Sequence, residues 1–162
     1  MPTLCNVQQE MICFEDSPLK EYIGYSSADI AKLSGLHDIA CNFRILKQGQ
    51  FSCPYHFHHN AEELFVILGG KGKLRTKEGI RDVCKGDTIF FETGMEGAHQ
   101  LKNESEEDLV YLDLKTLHGF DVCEYPDTGK VNLVGKELFL KGKTTGYFDG
   151  EEHIEKIWKT VE

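Results

Sequence analysis

The chain has 162 residues, a formal net charge of −9, 40% hydrophobic residues and 28% charged ones. That length suits one domain with a real core, and the acidic balance argues against nucleic acid and anionic membrane as partners, because both need a basic footprint. No stretch approaches the roughly 20 apolar residues of a membrane span, and "MPTLCNVQQEMICFEDSP" has neither a basic start nor an apolar run, so a cytoplasmic location is expected.

Residues 1–39 read as an extension. Within it, "SPLKEYIGYSSADIAKLSGL" predicts a short helix around residues 26–34, with a serine cap and a glycine stop. From residue 40 to 125 the pattern turns to β. Runs rich in branched and aromatic residues ("CNFRILK", "ELFVIL", "GKLRTK", "DTIFFE", "LVYLDLK", "FDVCEY") alternate with "KQGQ", "GGKG", "KEG", "CKGD", "ETGMEG" and "NESEED". These are turn chemistries at short, regular spacing, which predict an antiparallel barrel or sandwich. No helical periodicity interrupts them, which argues against a βαβ fold. Residues 126–162 predict strand and loop pieces and then a terminal helix in "EEHIEKIWKTVE", with Ile154, Ile157, Trp158 and Val161 on one face. Nothing marks a second domain, so residues 1–162 are read as one.

The six cysteines (Cys5, Cys13, Cys41, Cys53, Cys84 and Cys123) are scattered, with no C-x-x-C pair. Reduced, buried thiols are the expected reading. Cys53 stands out because it precedes His56 by three residues.

The chemistry concentrates in "YHFHHNAEELFVILGGKG", residues 55–72. Residues two apart on a strand share a face, so His56 and His58 project together and can begin a metal site. Glu62 and Glu63 both offer the carboxylate. The polar "HNAE" contains Asn60, a good turn residue, and a turn there resets the strand parity so that Glu63 faces back to the histidines. Glu63 is therefore preferred. A second cluster, "KGDTIFFETGMEGAHQLKN", opens a new strand with His99, which can supply a fourth ligand from across the barrel. His37, His118 and His153 are read as structural or surface residues.

Together the two clusters resemble the paired motifs of the cupin superfamily. Gly49, His56, His58, Glu63 and Gly70 follow the first motif, with one extra residue between Gly49 and His56. Gly86, Gly94, His99 and Asn103 follow the second, with Glu92 in place of its proline and two extra residues before His99. The resemblance covers roughly residues 40–115 and is similar to small single-domain bacterial cupins. It implies an all-β chain: a single cupin-type antiparallel β-barrel (double-stranded β-helix, jelly roll) with short helices at the termini.

The resemblance also implies one divalent transition metal (iron, manganese, zinc, nickel or copper) held by His56, His58, Glu63 and His99. An open metal of this kind suits dioxygenase or isomerase and lyase chemistry on a small polar metabolite in the barrel, such as a sugar derivative or an oxygenated acid. Candidate proton shuttles are Glu62, His59 and Tyr111. The alternative is a non-catalytic cupin that senses or sequesters a small molecule. A homodimer is the expected assembly, with edge strands covered by pairing.

Overall fold

A computed structural model describes Leu4, Glu15–Asp16 and residues 23–140 and 142–161. In chain order come β1 (Glu15–Asp16), β2 (Ser26–Asp29), the one-turn helix α1 (Ala31–Ser34), β3 (Ile39–Leu46), β4 (Phe57–His58) and β5 (Glu63–Gly69). Next are β6 (Lys71–Thr76), β7 (Gly79–Cys84), β8 (Thr88–Phe91), a 3₁₀ turn (Met95–Gly97), β9 (His99–Lys102) and β10 (Leu109–Thr116). The chain closes with β11 (Val122–Tyr125), β12 (Lys130–Leu133), β13 (Leu138–Leu140), β14 (Lys143–Thr144) and helix α2 (Ile154–Lys159). No helix among the described residues is long and apolar enough to cross a membrane.

The strands form two antiparallel layers of a jelly-roll barrel. One has the order β1-β2-β3-β10-β5-β8. The other joins β14-β13-β12-β11-β4 to β7-β6-β9 through the isolated bridge between His56 and His99. Alternation in the sequence decides which side chains enter. On β5, Glu63, Phe65 and Ile67 are buried while Leu64, Val66 and Leu68 face out, and on β10 the same holds for Leu109, Tyr111 and Asp113. Phe65, Ile67 and Tyr111 from the first layer meet Leu74, Val83 and Leu101 from the second in the main core.

The helix expected around residues 26–34 is corrected. Ser26–Asp29 is a strand, paired antiparallel with Asn42–Ile45 of β3, and only Ala31–Ser34 is helical. Pairing with a long neighbouring strand outweighs the weak helical preference of four small or polar residues. The terminal helix does form. Trp158 is fully buried and meets Phe51 edge-on at 5.2 Å, with Ile154 and Ile23 beside them. Ile157 is half-buried and Val161 exposed, so the packed stripe is narrower than the sequence suggested.

Two buried ion pairs fasten the C-terminal strands to the barrel. Arg75 on β6 makes a two-pronged contact with Asp127 in the β11–β12 turn, at 2.6 and 2.9 Å, and lies over the Tyr55 ring. Lys130 on β12 pairs with Glu151 just before α2 and donates to the Tyr147 carbonyl. Gly70 shows why its motif demands glycine. Its φ is 74°, and a Cβ would sit 2.2 Å from the Asp108 carbonyl oxygen.

The described cysteines are free thiols: Cys41 and Cys123 buried, Cys53 half-buried, Cys84 exposed. Cys5 and Cys13 lie outside the described residues.

Candidate metal centre

The strand register assembles the candidate ligands. His56 and His99 face each other across the β4–β9 seam, each N–H donating to the other's carbonyl at 3.3 and 2.9 Å. His58, two residues on, is opposite Cys123 of β11. Directly opposed residues share a face, so three imidazoles and one thiol point inward from one layer. Glu63 opens β5 in the other layer. The turn between His58 and Glu63 is held by Asp121 Oδ1, which accepts the Asn60 N–H at 3.0 Å, and by Asn60 Nδ2 donating to the Phe120 carbonyl at 2.6 Å. That turn resets the parity and aims Glu63 inward.

Each imidazole is fixed from behind. His56 Nδ1 donates to the Pro54 carbonyl at 3.0 Å, and His99 Nδ1 to the Gly97 carbonyl at 2.9 Å. His58 Nδ1 meets Asp121 Oδ2 at 2.5 Å. A carbonyl only accepts, so Nδ1 must carry a proton on His56 and His99, and Nε2 is the nitrogen of each ring that can offer a lone pair to a cation. The two extra residues before His99 fall in the 3₁₀ turn that supplies the Gly97 carbonyl. Gly97 cannot be replaced there, because a Cβ would lie 1.8 Å from the Glu92 carbonyl oxygen.

The lone pairs converge. Glu63 Oε2 lies 3.3 Å from His99 Nε2, 3.7 Å from His58 Nε2 and 3.9 Å from His56 Nε2. His58 Nε2, His99 Nε2 and Glu63 Oε2 are buried and make no hydrogen bond. A cluster of acceptors with no donor is costly in a dry site and is what a divalent cation relieves. The donor set of His56, His58, Glu63 and His99 therefore fits a metal, by its orphaned atoms and by its nitrogen and oxygen chemistry.

Burial lowers the His56 pKa well below the usual histidine value, with His99 adding to it, and burial followed by Lys115 lowers that of His58. Burial would raise the Glu63 carboxyl, but His99 and then His56 hold it well below the carboxylate range. His56 and His58 are thus poised as neutral imidazoles beside a carboxylate, the protonation state that ligation needs. The metal-free protein should accordingly lose stability as pH falls below 6.5, because His56 and His58 take up protons more readily when unfolded. Below about 6 the loss should be partly offset by Asp113, which binds its proton more readily in the folded state. Urea midpoints from pH 7.5 to 5.5 check this, and a midpoint that rises toward pH 6 contradicts it.

A cavity of about 140 Å³ opens onto the cluster. Its wall includes residues that sequence reasoning missed. Asp113, 4% exposed, accepts from Arg44 Nε at 2.7 Å, and the Arg44 guanidinium lies 4.3 Å from the Tyr25 ring centre. Burial pushes the Asp113 carboxyl up to about 6, with Glu63 adding to the rise and Arg44 opposing it. Ser52, Tyr111, Lys115, Tyr125, Asn132 and Tyr147 add further polar groups to the wall, and Phe91 stacks on His99 with centroids 3.6 Å apart.

Of the three candidate shuttles, Tyr111 lines the cavity, fully buried. Glu62 and His59 are exposed and point away, His59 Nε2 lying 2.7 Å from Glu124. His37, His118 and His153 are also exposed. Asp121, Cys123 and Tyr125 alternate in "DVCEY", and that parity was the available signal that they share a face.

Residues 42–115 match the family model described as Cupin domain. No curated protein matches the chain significantly. Among solved structures, a sugar phosphate isomerase of the cupin superfamily from Silicibacter pomeroyi is 21% identical. It covers 85% of this chain and 93% of its own, with a TM-score of 0.75. A candidate sugar phosphate isomerase from Acidithiobacillus ferrooxidans is 23% identical over 88% of this chain and 89% of its own, TM-score 0.73. The polyketide cyclase RemF from Streptomyces resistomycificus is 16% identical over 98% and 99%, TM-score 0.64. At these identities the likeness is one of fold.

Proposed function

We propose that this chain, whose residues 42–115 match the Cupin domain model, is a metal-dependent enzyme acting on a small oxygenated acid. The observation that carries the metal is the set of buried, partnerless ligand atoms at His58, His99 and Glu63. His56, His58, Glu63 and His99 would hold a divalent transition metal, which when bound supplies Lewis-acid polarisation or a place for dioxygen.

The chain's own residues set the substrate. The cavity of about 140 Å³ has room for about five waters and lies below the ~300 Å³ at which drug-sized pockets begin. That favours a compact acid over a sugar derivative. Arg44, held charged beside Asp113, offers the cation for a carboxylate. Burial raises the Tyr111 pKa well above the tyrosine value, so its hydroxyl stays protonated and is not a base. Asp113, near 6, has the pKa of a group that exchanges protons at neutral pH. Phe65 is an apolar part of the cavity wall, and Phe91 backs the His99 ring.

The names of two structural neighbours favour a second reading, isomerisation of a sugar phosphate. Calorimetric titration of the metal-loaded protein with hydroxy- and keto-acids and with sugar phosphates separates the two, followed by product analysis for whichever binds. Acids that bind and turn over support the proposal. Turnover of sugar phosphates alone overturns the acid assignment, and binding without turnover makes the protein a binding module.

The expected assembly is a pair of identical chains. On the six-stranded layer the outward residues Phe43, Ile45, Leu64, Val66, Phe90 and Leu112 carry no charge, and Phe90 is 77% exposed. For a chain of net charge −9, a charge-free face is where a second copy can approach at least electrostatic cost. Light scattering should report twice 18.4 kDa, and Phe90→Lys should shift it toward one chain. A monomeric parent contradicts this.

A further inference from the structure

Cys123 is not used by the reading above. It is 2% exposed and stands directly across the strand pair from His58, on the same inward face. The ligand atoms of His56, His58 and Cys123 lie within 4.8 Å of one another, as do those of His56, Glu63 and His99. The two sets share His56. His58, itself 5% exposed, aims its unpartnered Nε2 into the space between them. The Tyr125 hydroxyl hydrogen-bonds the Cys123 thiol and supports negative charge on the sulfur.

We propose that Cys123 is a ligand of this centre, giving thiophilic cations a His56–His58–Cys123 set beside the histidine–carboxylate set that oxygen-preferring cations take. The inference rests on the metal-centre reading. Its physical basis is ligand softness: a thiolate favours zinc, cobalt and copper(I) over manganese or magnesium, whereas Glu63 serves the harder ions. Without a cation, burial pushes the thiol up to about 12, so it stays protonated. Ligation releases that one proton to solvent and leaves the sulfur as thiolate, with no change in oxidation state. Cys53 does not compete for the role. Its sulfur lies 3.4 Å from His56 Nδ1, on the outer edge of the ring, away from Nε2.

Cobalt(II) alone, titrated into the untagged chain, tests the proposal by absorption. A near-ultraviolet sulfur-to-cobalt charge-transfer band is expected in the parent. It should be lost in Cys123→Ser, with cobalt still bound, and retained in Cys53→Ser. A parent that binds cobalt without the band, or a band that survives in Cys123→Ser, overturns it. X-ray absorption of the zinc-loaded parent needs no variant and should show a sulfur neighbour at about 2.3 Å, and a shell of nitrogen and oxygen alone is the contrary result. If the parent takes up no cobalt or zinc, the metal-centre reading itself has failed, which is distinguishable from uptake without sulfur.

Discussion

Lys130→Met is expected to destabilise the fold by about 3–5 kcal/mol, the usual cost of breaking a buried ion pair from one side. The Lys130 side chain is fully buried and that of Glu151 is 4% exposed. Methionine fills the volume but leaves the Glu151 carboxylate in a dry site with its cation gone. The Tyr147 carbonyl also loses its 2.6 Å donor. Lys130 lies 5.4 Å from the Tyr125 ring centre and 5.9 Å from that of Tyr147, so the substitution loosens the wall of the cavity as well as the C-terminal strands. Urea unfolding at pH 7 measures the loss. Adding Glu151→Leu should recover part of it, because the two changes act on one interaction. A loss of under about 1 kcal/mol, the size of a surface pair, contradicts this reading.

Asp121→Ala should weaken metal affinity by about 10- to 100-fold, the usual effect of removing the carboxylate behind a ligating histidine. Asp121 Oδ2 holds His58 Nδ1 at 2.5 Å, and Oδ1 accepts the Asn60 N–H that closes the turn before Glu63. One side chain thus orients two of the four candidate ligands. Asp121→Asn separates these roles. Its amide oxygen can keep the turn but it brings no charge to His58, so affinity should fall while the folded spectrum stays unchanged. Competition titrations against a chelator give the ratio, and equal affinity in parent and variants refutes the role assigned to Asp121.

The β character of residues 40–125 was legible because the inward and outward residues alternate strictly, as in Glu63–Leu68 and Leu109–Leu114. His56, His58, Glu63 and His99 were readable together because strand parity and one turn decide where they point. What the sequence did not disclose depends on pairing across long separations. Asp121 meets His58 and Cys123 faces it only once β11 pairs with β4, and Asp113 reaches Arg44 only once β10 pairs with β3. Ser26–Asp29 was misread as helix for the same reason, since its strand exists only by pairing with β3. His59 and Glu62 attracted attention by adjacency to the ligands, yet adjacency on a strand means the opposite face. The two motif insertions were readable as extra residues but not as structure. The insertion before His99 becomes the turn that orients its ring.

The most direct test of the metal centre is elemental analysis of the chain purified without a histidine tag, beside the His56→Ala, His99→Ala double variant. Near one equivalent of a transition metal in the parent and a large loss in the variant is the predicted result. A parent that carries no metal, and takes up none when soaked with each of iron, manganese, zinc, nickel and copper, would contradict it.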